Sequence, residues 1–446
     1  MSMPQFQSYE NFQDSGVEWI GAIPDDWECR PLRSVFGFRN EKNDPVKTKQ
    51  VLSLSIANGV TLYTDENRGG NRAKDDLTAY KIAHPNDIVL NSMNVVVGAV
   101  GRSDYFGAIS PVYYALYLKD EKSCLAYYER IFSTYGFQRH LIKLGKGILV
   151  KKGDGDKLNT IRMKISTDDL KVVLFPIPPL DQQRAIARFL DDKTAKINEA
   201  ISIKEQQIAL LRERLKIIIQ DTVTRGLNPA ALMKDSGVDW IGQIPAHWEV
   251  MRLKYLLSDP LKYGANEEAT ECVEGDPRYI RITDFGSNGK LRDDTQRTLP
   301  WKIANEYLLE SGDILLARSG GTVGKAFKFR DKIRACFAGY LIRARTDRKK
   351  MSPEHLYFFL RSPAFDCWKD AIFSRATIQN IGADKYATLT LPVPSLDEQN
   401  ANLRHLDESE AKIGAAIEIK ERQIAAIKEY KTSLINAAVT GKIRVI

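Results

Sequence analysis

The stretch SGGTVGKAF, Ser319 to Phe327, places small residues and a lysine where a chain could wrap a phosphate. A phosphate loop of the form G-x-x-x-x-G-K-[ST] cradles the anion with backbone N–H groups, and its closing hydroxyl holds a metal ion. Here the first glycine of that pattern falls on Ser319 and the hydroxyl on Ala326, so the stretch reads as a tight turn after the strand-like run DILLA. An amino-methyltransferase would carry an N-P-P-Y sort of motif beside its target base, and NPA at Asn228 is the nearest approach. The carboxylate–lysine groups at Asp191–Lys193 and Glu410–Lys412 resemble pieces of a metal-dependent nuclease, but they lie on helical segments whose outer faces are expected to be charged.

Five cysteines (Cys29, Cys124, Cys272, Cys336, Cys367) contain no C-x-x-C, and the five histidines no H-x-x-x-H. Metal ligation is therefore not expected, and the odd thiol count reads as reduced side chains of a cytoplasmic protein. No run approaches about 18 apolar residues, so no membrane span is expected. Read this way, the chain has no catalytic constellation of its own.

What remains is basic and polar loop material, in a chain of formal net charge +8. Lysine and arginine neutralise phosphates, while Arg, Asn and Gln read base edges with paired hydrogen bonds. KKGDGDKLNTIRMK supplies Lys151, Lys152, Lys157, Asn159 and Arg162, and SRATIQNIG supplies Arg375, Thr377, Gln379 and Asn380. Arg318, Ser319, Lys325 and Lys385 complete the candidates in the second half of the sequence.

The elements that must position these loops are written twice. DSGVEWIGAIPDDWE at Asp14 returns as DSGVDWIGQIPAHWE at Asp235, and the segment from Pro176 to Ala209 returns from Pro392 to Ala425. Between these anchors lie divergent bodies with short β-rich runs such as QVLSLSI, NDIVLNSM, RYIRITDF, GDILLAR and GYLIRAR, followed by helical runs such as LAYYERIFST and PEHLYFFLRS. The paired tryptophans, Trp19 with Trp27 and Trp240 with Trp248, are expected to pin the start of each body by burying large apolar area.

Each second anchor opens with prolines and an Asp suited to an N-cap, Asp181 or Asp397, then runs on as a long helix towards a breaker, Gly226 or Gly441. Heptad spacing puts Leu190, Ile197, Lys204, Leu211 and Ile218 at one seam position of the first helix, with Thr194, Ile201, Ile208 and Leu215 at the other. The second helix offers Leu406, Ile413, Lys420, Ile427 and Leu434, with Glu410, Ile417, Ile424 and Lys431. The two helices are expected to pair as an antiparallel coiled coil interrupted at Lys204 and Lys420, with a more polar seam in the second helix. The expected fold is thus α+β: two mixed α/β bodies separated and joined by two long helices, a pseudo-twofold internal repeat. Residues 1–179 and 228–394 form the bodies, 180–227 and 395–446 the helical spacers.

This arrangement, D-S-G-V-[ED]-W-I-G-x-I-P-x-x-W-E, a divergent body, then P-[IV]-P-x-L-[DE]-[EQ]-Q and a long helix, twice over, resembles the DNA specificity subunit of Type I restriction-modification systems. The resemblance spans essentially the whole chain. It implies that each body is a target-recognition domain reading one half of a split duplex site, and that the helices set the spacing and dock modification subunits. It implies two methyltransferase subunits and two translocase-nuclease subunits as partners, which would bring S-adenosylmethionine, ATP and magnesium, and no cofactor in this chain. It also singles out NSMN, with Asn91 and Asn94, and YIRITDF, with Arg281, as segments recurrent in recognition domains, without saying whether they touch DNA or shape the fold.

Overall fold

The computed structural model describes residues 6–64, 75–120, 122–148, 151–152, 158–159, 162–286, 289–320, 322–330, 332–373 and 380–445. The chain divides into two compact units, Met1–Ile203 with Arg422–Ile446 (unit 1) and Lys204–Glu421 (unit 2). Strands and helices are mixed within each, as the α+β expectation requires.

In unit 1 the repeated phrase forms a hairpin, Phe12–Asp14 against Ala22–Pro24, and Glu28–Pro31 pairs antiparallel with Leu174–Ile177. The body is built on an antiparallel sheet of β1 (Phe36–Arg39), β2 (Ile88–Asn91), β3 (Val100–Arg102) and β4 (Tyr113–Leu118), in the order β1-β4-β2-β3. Alternate side chains of a strand point to opposite faces. Ile88, Leu90 and Leu116 accordingly join the core under the helix Leu125–Phe132, while Val89 and Ala115 join a second core with Leu52, Leu54 and Val60. Both faces are covered, which is why IVL at Ile88 reads as an uninterrupted apolar run.

Unit 2 repeats the plan. Met233–Asp235 pairs with Gln243–Pro245, Glu249–Arg252 with Thr390–Val393, and the sheet of β5 (Lys262–Tyr263), β6 (Ile314–Ala317), β7 (Ala326–Lys328) and β8 (Leu341–Ala344) has the order β5-β8-β6-β7. Ile314, Leu316, Ile342 and Ala344 face one core, Leu315, Ala317 and Leu341 another. The SGGTVGKAF stretch leads from β6 into another strand, β7, and not into the helix that a phosphate loop requires.

The long helices are α1 (Leu180–Arg225) and α2 (Leu396–Val439). Each begins one residue earlier than the expected Asp N-cap, so Asp181 and Asp397 sit in the first turn, where a carboxylate meets the positive end of the helix dipole. In α2 the cap is Ser395: its Oγ accepts from Glu398 N at 3.3 Å, and Glu398 Oε2 accepts from Ser395 N at 3.2 Å, a reciprocal capping box.

Leu190, Ile197, Ile201, Lys204, Ile208 and Leu211 in α1 are buried or half-buried, as are Leu406, Ile413, Ile417, Lys420, Ile424 and Ile427 in α2. Ile203, Leu210, Ile217 and Ile419, off the seam, are exposed. Within unit 1, Lys431 Nζ donates to Asn198 Oδ1 at 2.8 Å. Within unit 2, Lys420 Nζ donates to Gln207 Oε1 at 2.8 Å and Asn402 Nδ2 to the carbonyl of Thr222 at 3.3 Å, so the helix segments there run in opposite directions.

Candidate nucleic-acid interface

Each body is held to its helix by the residues of the repeated phrases. Trp27 is fully buried and its Nε1 donates to Gln182 Oε1 at 2.7 Å; Trp248, equally buried, donates to Glu398 Oε1 at 3.1 Å. Trp27 also backs onto the end of α2, and Trp248 onto the end of α1. Gly441 and Gly226 follow those helices with φ of +71°, and a Cβ on Gly226 would lie 2.9 Å from the Trp248 ring. The next glutamine of each motif is a clamp. Gln183 Nε2 donates to the carbonyl of Pro178 at 2.8 Å while its Oε1 accepts from Cys124 N at 2.9 Å. Gln399 Nε2 donates to the carbonyls of Pro394 and Lys350, and its Oε1 accepts from Ser352 N at 2.8 Å. Both therefore fix a helix of the body, Leu125–Phe132 or Pro353–Phe359, to the start of a long helix.

On these frames the loop residues are displayed. In unit 2, Ser319 and Asn380 form an antiparallel backbone bridge, Ile381 N donates to the carbonyl of Arg318 at 2.8 Å, and Lys385 lies exposed on the short helix Ala383–Ala387. Three expected residues thus come together at the end of β6, Arg318, Ser319 and Asn380, with Lys385 on the short helix that follows. Tyr263 joins them, its ring 5.0 Å beneath the Arg318 guanidinium and its hydroxyl accepting from Ala383 N at 2.8 Å. Lys325 stands apart, at the far end of the β6–β7 turn. It lines a cleft of about 760 Å³ with Arg330, Arg361 and Lys369, where Glu410 ion-pairs with Arg361 at 2.6 Å.

Arg281 has a structural role. Its guanidinium meets the fully buried Asp284 carboxylate at 3.1 Å and the carbonyl of Thr295 at 2.6 Å, bracing a turn of 3-10 helix at Ile282–Asp284.

In unit 1, Asn91 ends β2 largely buried, and its Oδ1 accepts from Met93 N at 3.0 Å, shaping the turn that Asn94 continues as the cap of the 3-10 helix Val95–Val97. Lys151 and Lys152 pair with Asn159 and Leu158, and Arg162 begins a strand paired with Lys146–Ile148, so the basic run folds back on itself as two successive antiparallel pairings. Lys157, Arg375, Thr377 and Gln379 lie outside the described residues.

Sequence reasoning missed Tyr263 and the clamp glutamines. The glutamines are visible as the last letter of P-[IV]-P-x-L-[DE]-[EQ]-Q, but their partners are distant in sequence. Among the described residues, no group of three or more His, Cys, Asp or Glu side chains is placed to hold a metal ion, and no helix is long and apolar enough to cross a membrane.

Comparison with known proteins agrees with this geometry. The family model "Type I restriction modification DNA specificity domain" matches residues 245–429. The Type I restriction enzyme MjaVIII specificity subunit of Methanocaldococcus jannaschii is 25% identical over 99% of this chain and 98% of its own length. The EcoBI specificity subunit of Escherichia coli is 22% identical over 63% of this chain and 60% of its own. A solved chain from work on the complex assembly and conformational transition of the type I R-M system superposes with a TM-score of 0.67 at 15% identity, covering 94% of this chain and 98% of that one. Residues 245–429 thus match the DNA specificity domain of Type I restriction-modification systems, and the chain is similar over nearly its whole length to specificity subunits of such systems.

Proposed function

We propose that this chain is the non-catalytic DNA-reading subunit of a cytoplasmic Type I complex, in which unit 1 and unit 2 each read one half of a split duplex site. One observation carries this: the same sheet, clamp and helix start are built twice, and the polar side chains displayed at the equivalent strand end differ between the two copies. Two modules at fixed separation suit half-sites about one helical turn, roughly 34 Å, apart. The long helices serve as the ruler and as the docking surface for two methyltransferase subunits, which bind S-adenosylmethionine, while two translocase-nuclease subunits use ATP and magnesium. An adenine-methylating partner explains how a chain without a catalytic constellation takes part in modification.

The test is a map of N6-methyladenine in host DNA with the chain present and deleted, the other subunits intact. A split motif that disappears on deletion supports the reading. Methylation that persists unchanged, together with no site-specific duplex binding by the purified complex, overturns it.

A further inference from the structure

The two sheets share one backbone frame at the strand end where the candidates gather. In unit 2, Arg318 N donates to the carbonyl of Tyr340 at 3.1 Å and Ile381 N to the carbonyl of Arg318 at 2.8 Å. In unit 1, Ser92 N donates to the carbonyl of Val112 at 3.4 Å and Ile165 N to the carbonyl of Ser92 at 3.1 Å. Strand register agrees: Asn91 faces Tyr113 as Ala317 faces Leu341, so Ser92 and Arg318 are the next residues at equivalent stations. The chemistry there differs completely. Ser92 is 1% exposed and reaches nothing outside the fold. Arg318 carries a planar fork to the surface beside Tyr340, which is 63% exposed, and beside the exposed Asn380.

The fork is held but not consumed. It lies on the Tyr263 ring, and the Tyr263 hydroxyl is itself tied to Ala383 N. Among the described residues, Arg318 Nη1 makes a long 3.5 Å contact with the carbonyl of Gly339, and Nε is buried without a partner, which leaves the terminal N–H groups as the donors open to a ligand. Stacking restricts the side chain before any ligand arrives, which lowers the entropy lost on binding. A pre-set guanidinium with free donors fits a planar pair of acceptors, either the O6 and N7 of guanine or two phosphate oxygens. The difference between units decides for the base. A phosphate contact carries no sequence information and serves both bodies equally, whereas a base contact must differ between bodies that read different half-sites. We infer that Arg318 reads a guanine in the half-site bound by unit 2, with Tyr263 as its positioning residue.

This rests on the proposed split-site function, and the experiment separates the two. Wild-type chain with its methyltransferase partner is mapped first; a motif that does not depend on the chain defeats the proposed function itself. With a dependent motif in hand, Arg318→Ala and Arg318→Ser are mapped and their binding measured across single-base variants of the site and across salt concentration. The expected result is relaxation at one G·C pair in one half-site, the preference for G falling by roughly 10- to 100-fold while every other position is kept. An unchanged motif overturns the inference. So does a uniform loss of affinity with a shallower salt dependence, which marks a phosphate contact. Should both variants fail to fold, Arg318→Gln, whose amide suits adenine and not guanine, takes their place: lost guanine preference with retained non-specific binding supports the inference, and an unchanged preference overturns it. Tyr263→Phe, which keeps the ring, should keep the preference, and Tyr263→Ala should weaken it.

Discussion

Asp87 and Asp313 stand at the same place in the two sheets and neutralise arginines that arrive from different strands. Each is 1% exposed at the start of its strand, and each closes the same turn. Asp87 accepts from His84 N at 2.9 Å and Asp313 from Glu310 N at 2.8 Å, while their carbonyls accept from Ser103 N and Phe329 N, both at 2.8 Å. In unit 1 the cation is Arg39 on β1, bidentate to Asp87 at 2.6 and 3.0 Å and stacked on Tyr117. In unit 2 it is Arg345, just past β8, bidentate to Asp313 at 2.8 Å on both arms. Register places Arg345 where unit 1 has Tyr117, and Lys262 where unit 1 has Arg39. The buried acid and its turn are common to both units, while the compensating charge has moved one strand over. A fold of this kind tolerates relocation of a charge provided that the buried carboxylate is never left alone.

That statement can be broken. Arg345→Tyr should destabilise unit 2 by about 2–4 kcal/mol, since removing one partner leaves a buried, desolvated charge. Adding Lys262→Arg, which rebuilds the arrangement of unit 1, should recover most of the loss. Chemical denaturation of the single and double variants checks this, and a double variant no more stable than Arg345→Tyr would show the two sites not to be interchangeable.

The migration of this charge also explains which parts of the molecule were legible in the sequence. The tryptophan phrases and both long helices could be read, because they depend on local periodicity and on residues that bury the same atoms in both units. The strands NDIVLN and GDILLA could be matched through their Asp and their doubly buried apolar runs. The strands that complete each sheet could not, since Phe36–Arg39 and Lys262–Tyr263 share register but not side chains. Among the candidates, the loop around Arg318, Ser319 and Asn380 was recognised by composition, yet its assembly around Tyr263 depends on a pairing between β5 and β8 that nothing local announces. Arg281 shows the converse: an arginine in a promising motif whose fork is spent on its own turn.

The clamp glutamines test whether the two units are equally dependent on their helix starts. Gln399→Ala strips partners from the Ser352 N–H and from the carbonyls of Lys350 and Pro394, and Gln183→Ala does so for Cys124 N and Pro178. Unpaired buried backbone groups cost about 1–3 kcal/mol, so both variants should lower denaturation midpoints, Gln399→Ala the more because three groups are orphaned against two. Equal effects would mean that water replaces the side chain at Lys350.

The smallest expected difference is one of pH, and it arises because Gln182 in unit 1 is replaced by Glu398 in unit 2. Burial works to raise the Glu398 carboxyl, but hydrogen bonds from His247 at 2.7 Å, from Trp248 and from Ser395 outweigh it and hold the group down at about 2. A carboxylate whose folded value is depressed adds stability that is fully present above its unfolded value near 4.3 and is lost as pH falls through the folded value. The hold of unit 2 on its helix should therefore weaken from about pH 4.5 down to about 2. The amide of Gln182 does not titrate, so the bond it accepts from Trp27 is indifferent to the same change. Glu398→Gln should flatten the acid limb of unit 2 while sparing unit 1, read by acid titration of the separately assigned indole N–H signals of Trp27 and Trp248 in tryptophan-labelled protein. The gain is limited by solvent screening, because Glu398 is 36% exposed. An acid limb identical in wild type and Glu398→Gln would show that His247 and Trp248 hold the glutamine as firmly as the carboxylate, and that the capping box, not the charge, secures the start of α2.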